Sequence, residues 1–148
     1  MLEPIRLLHF ADLHIGMENF GQIDPATGVN SRVLDFIARL KDIATLALER
    51  QADVVIFAGD AFKTRDPNPT YQREFARHIK RMADAGIIVV LLVGNHDVPL
   101  VDKRASSVDI FRTLDVPNVI VGNGESLHRV ETRHGPLQIG TLPWPQRA

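Results

Sequence analysis

The most constraining feature of the sequence is an uninterrupted apolar run over residues 87–93, rich in β-branched side chains. A transmembrane helix needs about 20 such residues, so this run is too short to cross a membrane. Its length and composition predict instead a strand that is buried on both faces of a parallel sheet. Residues 54–58 have the same apolar character, and residues 7–11 are apolar except for His9. We therefore expect a sheet assembled from several buried strands.

Polar side chains follow each of these runs, at the point where the strand should end. The polar residues are Asp12 and His14 after the first run, Asp60 (preceded by Gly59) after the second, and Asn95, His96 and Asp97 (preceded by Gly94) after the third. Ligands of open α/β sheets bind at the C-terminal ends of the strands. We therefore expect these side chains to meet at one edge of the sheet.

The donor types in this group indicate metal chemistry. On an extended chain, residues two apart point the same way, so Asp12 and His14 could hold one ion while Asp60 bridges to a second. Asn95 adds an amide oxygen. Carboxylate, imidazole and amide donors without thiolate suit manganese, iron or zinc better than calcium. Two such ions about 3.5–4 Å apart activate a water molecule for attack on a phosphoryl group.

His96 and Asp97 are the expected catalytic pair. An imidazole beside the ions could stabilise the phosphoryl oxygens in the transition state or protonate the leaving alkoxide. The Asp97 carboxylate could accept the second ring N–H of His96 and so fix its tautomer.

Periodicity and turn residues predict the remaining elements. Strands are expected at 5–10, 53–58, 87–93 and 119–121, helices at 32–50, 71–85 and 103–114, and a β-hairpin from 127–131 and 137–142. Ser31 and Thr70 are the expected helix N-caps. Residues 15–30 predict either a long ordered loop or lid, or an irregular crossover. This order predicts an α/β fold with mostly parallel strands and flanking helices, in one domain over residues 1–148.

Bulk composition excludes several classes of protein. The net charge is −1 and there is no cysteine, so neither a global basic field nor a thiolate metal site or disulfide is expected. No signal-peptide pattern or transmembrane run is present, which favours a cytoplasmic location without membrane contact. The helix expected at 71–85 carries Arg73, Arg77, Lys80 and Arg81, which form either a solvated face or a patch for a phosphate backbone.

The motifs around Asp12-Leu13-His14, Gly59-Asp60 and Gly94-Asn95-His96-Asp97 resemble those of calcineurin-like metallophosphoesterases. The surrounding residues resemble the SbcD-like nuclease subunits of double-strand-break repair complexes. The resemblance implies the N-terminal half of an αββα sandwich, two divalent ions (usually manganese) and DNA as substrate. It also implies a coiled-coil ATPase partner of the SMC-like type. A homodimer contact is implied through the helices expected at 71–85 and 103–114. Its candidate residues are Tyr71, Ile79 and Phe111, for which the alternative is an ordinary place in the core.

The sequence departs from the family pattern at two points. Lys63 stands where relatives often carry His or Asp, and the later Gly-His-x-His element is absent, since His128 and His134 have other contexts. We therefore expect a truncated nuclease domain with about half of the ligand set, and weak metal binding and activity. The alternatives are a phosphatase or phosphodiesterase for a small phosphoester, and a non-catalytic dimerisation or docking fragment.

Overall fold

A four-stranded parallel sheet organises the chain, whose residues 3–99 and 104–145 are described in a computed structural model. The strands β1 (Leu7–Phe10), β2 (Val54–Phe57), β3 (Ile88–Leu92) and β4 (Val119–Gly122) lie side by side in chain order. The helices are α1 (Ser31–Glu49), α2 (Pro69–Asp84) and the short α3 (Asp109–Thr113). Strands β5 (Ser126–Thr132) and β6 (Gly135–Thr141) form an antiparallel hairpin. The predicted α/β fold is confirmed.

Apolar side chains cover both faces of the central strands. On one face, Val55 and Phe57 of β2 and Val89 and Leu91 of β3 pack in the same core as α1 and α2. On the other face, Val54 and Val90 form a cluster with Ile139 of the hairpin. This confirms that β3 is buried on both faces. The same expectation is wrong for β1, because it lies at the sheet edge and alternates between exposed and half-buried residues.

Asparagines cap both long helices, in place of the predicted Ser31 and Thr70. The Asn30 side chain accepts a hydrogen bond from the Arg32 N–H (2.9 Å), and that of Asn68 accepts one from the Thr70 N–H (2.8 Å). Ser31 instead becomes the first residue of α1, and its hydroxyl accepts a hydrogen bond from the Gln22 N–H. Serine, threonine and asparagine are all good caps, so sequence alone did not separate them.

The third helix is much shorter than the predicted 103–114, of which residue 103 lies outside the described part of the chain. The Asp109 carboxylate accepts hydrogen bonds from both the N–H and the hydroxyl of Ser106. These bonds hold residues 106–109 in a turn, so that helical hydrogen bonding begins only at Asp109.

The first strand also begins later than the predicted residue 5, because the Asp53 carboxylate accepts a hydrogen bond from the N–H of Arg6 (2.8 Å).

Residues 15–30 form an ordered loop, and its action as a lid stays a prediction. A β-bridge joins Ile15 to Phe62 at one end, and a second joins Ile23 to Asn30 at the other.

Within the described ranges, no helix is long and apolar enough to span a membrane.

The basic face of α2 is partly neutralised within the helix, since Glu74 and Asp84 pair with three of its four basic residues and Arg81 contacts the Thr45 hydroxyl instead. Arg77 pairs with Glu74 (2.8 Å) and Lys80 with Asp84 (2.6 Å), while Arg73 also contacts Glu74. This favours the solvated-face interpretation over a phosphate patch. Ile79 and Phe111, two of the candidate dimer contacts, are buried in the core of the chain itself, which favours the alternative that they are core residues.

Asp53 ties the hairpin turn to the opposite end of the sheet from the polar motifs. Its buried carboxylate accepts hydrogen bonds from the Arg6 N–H and from His134 Nδ1 (both 2.8 Å), and Arg133 Nε lies 3.5 Å away. Burial alone would raise the pKa of Asp53, but the Arg6 and His134 hydrogen bonds outweigh it and hold the pKa below 3.8. His134 is therefore structural.

We expect Asp53→Asn to lower the free energy of unfolding at neutral pH by roughly 1.5–3 kcal/mol, the usual worth of hydrogen bonds to a charged group. Because the pKa of Asp53 is lowered in the folded state, its ionised carboxylate stabilises the fold at pH values above 3.8. This stabilisation is lost as the pH falls through the folded-state pKa. Denaturant unfolding should therefore show the difference between the variant and the parent shrinking as the pH falls below 3.8. Asp35→Asn, on the exposed face of α1, is the control. An equal difference at all pH values would contradict this account.

Candidate metal centre

Main-chain hydrogen bonds continue the pairing of β1 and β2 beyond the ends of both strands. The N–H groups of Asp12 and His14 donate to the carbonyl oxygens of Gly59 (3.1 Å) and Asp60 (3.0 Å), and Ile15 donates to Ala61 (3.0 Å). The first two polar motifs therefore run side by side. This places the Asp12 and His14 side chains next to that of Asp60.

Two glycines bring the third motif against the second. Gly59 has φ +100°, and a Cβ built on it would lie 2.6 Å from Gly94 Cα. A Cβ on Gly94 would in turn fall on the Asp60 carboxylate and main chain. Because neither residue has a side chain, the His96 N–H reaches Asp60 Oδ1 at 2.9 Å. All three motifs thus meet at the C-terminal edge of the sheet, as predicted.

Asp97 does not bind the His96 ring, and that prediction is wrong. Its carboxylate instead accepts hydrogen bonds from three backbone N–H groups, those of Asp60 (2.7 Å), Ala61 (3.1 Å) and Gly94 (2.9 Å). The Asp97 side chain turns inward because these three N–H groups lie where the two loops cross and bond to its carboxylate there. Burial raises the pKa of the Asp97 carboxyl, which the N–H bonds only partly oppose. Asp97 therefore positions the site and is not placed to orient the His96 ring.

Metal-competent atoms converge around His14. Its Nε2 lies 3.7 Å from Asp12 Oδ1 and 3.8 Å from Asp60 Oδ2. The ligand atoms of His14, Asp60 and His96 all lie within 4.8 Å of one another. The rings of His14 and His96 meet edge to face, with centroids 4.9 Å apart. From the sequence, His96 was predicted only as a catalytic residue. The structure also places its ring among the possible metal ligands.

The predicted extended geometry at Asp12 and His14 is wrong. Both residues are left-handed, with φ values of 58° and 45°, and Asp60 is left-handed as well, with φ 62°. Such conformations are uncommon outside glycine, and clusters of them occur at functional sites. The side chains converge through these local turns and not through the alternation of a strand.

The arrangement fits a divalent cation. Two ligands of one ion at bonds of about 2.1 Å lie about 3–3.5 Å apart when their bonds meet near 90–110°. The His14–Asp12 and His14–Asp60 separations are slightly larger and too long for hydrogen bonds, so small shifts would close them around an ion. The buried Nδ1 of His14 has no hydrogen-bond partner among the described residues. Asp12 is mostly exposed, and Asn95 is half-buried.

Tyr71 fastens the 15–30 loop beside this site. Its hydroxyl donates to Glu18 Oε1 at 2.5 Å, and its ring lies 3.4 Å from the position of a Cβ on Gly16. The Glu18 hydrogen bond, with burial and the charge of Glu18, raises the pKa of Tyr71 to about 12. Tyr71 therefore serves the loop of its own chain.

We expect ultraviolet absorbance to report this contact, because Tyr71 is the only tyrosine in the sequence. Phenolate should form with a midpoint at about 12 in the parent chain, and nearer the ordinary value of 10.0 in Glu18→Gln. Glu49→Gln, on α1, should leave the midpoint unchanged. Identical midpoints in the parent and Glu18→Gln would show that the hydrogen bond does not form.

Comparison with known proteins agrees with this geometry. Residues 5–146 match the sequence profile described as calcineurin-like phosphoesterase. The chain belongs to the calcineurin-like phosphoesterase family. Members of this family use divalent metals, which accords with the donor set around His14.

Several relatives of this calcineurin-like phosphoesterase are nucleases by name. The SbcD component of the SbcCD nuclease from Escherichia coli strain K12 is 33% identical over 142 residues, which are 95% of this chain and 32% of that protein. The SbcD component from Bacillus subtilis strain 168 is 27% identical over 146 residues, 97% of this chain and 35% of that protein. The DNA double-strand break repair protein Mre11 of Archaeoglobus fulgidus is 31% identical over 116 residues, 78% of this chain and 24% of that protein. The chain therefore spans about a third or less of the length of these relatives.

Proposed function

We propose that this chain supplies part of a two-ion centre that hydrolyses phosphodiester bonds at DNA ends, in a double-strand-break repair nuclease. The observation that carries the proposal is the convergence of Asp12, His14, Asp60 and His96 at one sheet edge. The names of the SbcD and Mre11 relatives support DNA as the substrate.

Each side chain has a distinct role in this proposal. Asp12 and His14 would hold one ion, Asp60 would serve both ions, and Asn95 would offer its amide oxygen to the second. Bound manganese, or iron or zinc in its place, supplies an activated water and neutralises phosphoryl charge. With Oδ1 fixed by the His96 N–H, Asp60 keeps Oδ2 directed toward His14. The carboxylate is thereby oriented before any ion arrives.

His96 is the proposed catalytic residue. Its main chain is fixed by the hydrogen bond to Asp60, and its ring packs edge-on against that of His14. A protonated ring nitrogen donates to an oxygen of the scissile phosphodiester or passes its proton to the leaving alkoxide. The imidazole is half-buried, so a substrate phosphate can reach it.

A metal titration followed by nuclear magnetic resonance tests the centre. Substoichiometric Mn²⁺ is added to the isotopically labelled 148-residue chain, because paramagnetic broadening detects and locates even weak binding. We expect early broadening at residues 12–14, 60–61 and 94–97. Affinity should be weak, because the later histidine ligands of the family are missing from this sequence. Broadening confined to other acidic surfaces, or none, would contradict the proposed centre.

A substrate comparison separates DNA from small phosphoesters. The chain and Mn²⁺ are incubated with an end-labelled blunt duplex and, separately, with bis(4-nitrophenyl) phosphate. Slow metal-dependent shortening of the duplex is expected. Hydrolysis of the small ester alone would favour the phosphatase or phosphodiesterase alternative. Association without metal binding or hydrolysis would favour the docking alternative.

The assembly proposed here follows the same relatives. We propose a coiled-coil ATPase of the SMC-like type as partner, a homodimer and a cytoplasmic location. Sedimentation of the chain alone and with such an ATPase tests the first two proposals. A monomer that does not bind the ATPase would count against both.

A further inference from the structure

Arg65 joins the loop after Asp60 to the outer side of the third motif. Its Nε donates to the carbonyl oxygen of Val98 at 2.6 Å, and one terminal nitrogen donates to the carbonyl oxygen of Asn95 at 3.3 Å. These partners lie 33 and 30 residues away in the sequence. The side chain thus spans the segment that carries Asn95 and His96.

The inner side of that segment is already fixed. Asp97 accepts N–H groups from the Gly59–Asp60 crossing, and the His96 N–H donates to Asp60. The carbonyl oxygens of Asn95 and Val98 take no part in those bonds. Arg65 is the group that binds both oxygens. Among the described residues, it forms no ion pair with a carboxylate, so these two carbonyls are its partners.

Only a guanidinium suits this geometry. Its donors lie in a rigid plane, so one side chain can bond two acceptors set at a fixed separation. A lysine ammonium is a compact charge on a flexible stem and loses more freedom for each bond. The arrangement therefore depends on the shape of the arginine head and not on its charge alone.

We infer that Arg65 is a positioning residue, which holds the Asn95–His96 segment against Asp60 so that its side chains face the ions. The inference rests on the proposed metal centre. It assigns Arg65 no contact with the reacting atoms. Its effect on metal binding is transmitted through the main chain of Asn95.

Charge and geometry predict opposite effects on metal affinity. A positively charged side chain near a metal site repels the metal ion. If Arg65 acted only through its charge, its removal should therefore strengthen Mn²⁺ binding. Removing a residue that positions a ligand should weaken it, since supporting contacts of this kind are typically worth about 10–100-fold. The direction of the change therefore identifies the role.

The experiment compares Arg65→Ala and Arg65→Lys with Arg39→Ala, which removes an exposed arginine from α1. Mn²⁺ affinity is taken from the broadening titration, and hydrogen exchange is measured at the His96 N–H. We expect both Arg65 variants to bind Mn²⁺ about tenfold more weakly and to exchange the His96 proton faster. The Arg39 variant should match the parent in both measurements.

Two results would overturn the inference. Stronger binding in Arg65→Ala with parental binding in Arg65→Lys would show that only charge matters. Parental affinity and exchange in both variants would show that the contacts hold nothing. If the parent chain itself shows no broadening at the site, the proposed centre fails. His96 exchange then decides separately whether Arg65 holds the segment, since unchanged exchange in Arg65→Ala overturns the inference.

Discussion

The Asp60→Asn chain is expected to lose about 100-fold or more in Mn²⁺ affinity while keeping its fold. Asp60 is the buried centre of the site, with Oδ1 accepting the His96 N–H and Oδ2 lying 3.8 Å from His14 Nε2. Asparagine has the same shape and its carbonyl oxygen can still accept the His96 N–H. Its NH₂ group then replaces the oxygen that faces His14. A donor in place of a bridging carboxylate removes both the charge and the lone pair that an ion requires.

The control for this variant is Asp84→Asn, which removes one carboxylate from the exposed end of α2. Thermal unfolding and the Mn²⁺ broadening titration are measured on both chains. Parental unfolding with lost broadening at residues 12–14 is the expected result for Asp60→Asn, and hydrolysis of DNA should disappear with it. Equal affinities in the two variants would place the ion elsewhere and remove the basis for the proposed mechanism.

The sheet and the location of the site were predictable because both depend on local pattern. Buried parallel strands require continuous apolar runs, and residues 54–58 and 87–93 provide them. The rule that ligands bind at C-terminal strand ends then fixed where Asp12, Asp60 and His96 would meet. The burial of strand β1 was overestimated. The sequence of a strand does not reveal whether it lies in the centre of the sheet or at its edge.

The detailed geometry of the site was not predictable, because it depends on contacts between distant residues. The left-handed turns at Asp12 and His14 follow from pairing with the Gly59–Ala61 main chain, which no spacing rule contains. Asp97 was predicted to bind its neighbour His96, yet three N–H groups at the crossing are stronger competitors for a buried carboxylate. Arg65 carried no signal at all, since an exposed arginine in a loop is common.

The choice between neighbouring capping residues has the same origin. Asn30 and Ser31 are both acceptable N-caps, but the Ser31 hydroxyl is engaged by the Gln22 N–H of the preceding loop. A Cβ on Gly21 would fall on the Asn30 side chain, so the loop closes tightly around that residue. Packing of the loop, and not helix propensity, decides where α1 begins.

Gly59→Ala is expected to cost about 2–5 kcal/mol of unfolding free energy, from left-handed backbone strain and from overlap in a packed crossing. Gly59 has φ +100°, and the added Cβ would lie 2.6 Å from Gly94 Cα and 2.7 Å from Gly94 N. Both obstacles are main-chain atoms, so no side chain can rotate away. The loops must therefore separate, which also carries Asp60 away from the His96 N–H.

Calorimetry should show a fall of roughly 10 °C in Tm for Gly59→Ala, by the usual relation between free energy and melting temperature at this size. Gly86→Ala is the matched control, since Gly86 has φ +83° and a Cβ there meets nothing within 4 Å. Its Tm should fall by less, because only the left-handed backbone strain applies there. If both variants melt at the same temperature, Gly59 and Gly94 do not lie in contact. The close approach of the second and third motifs, on which the metal centre depends, would then be wrong.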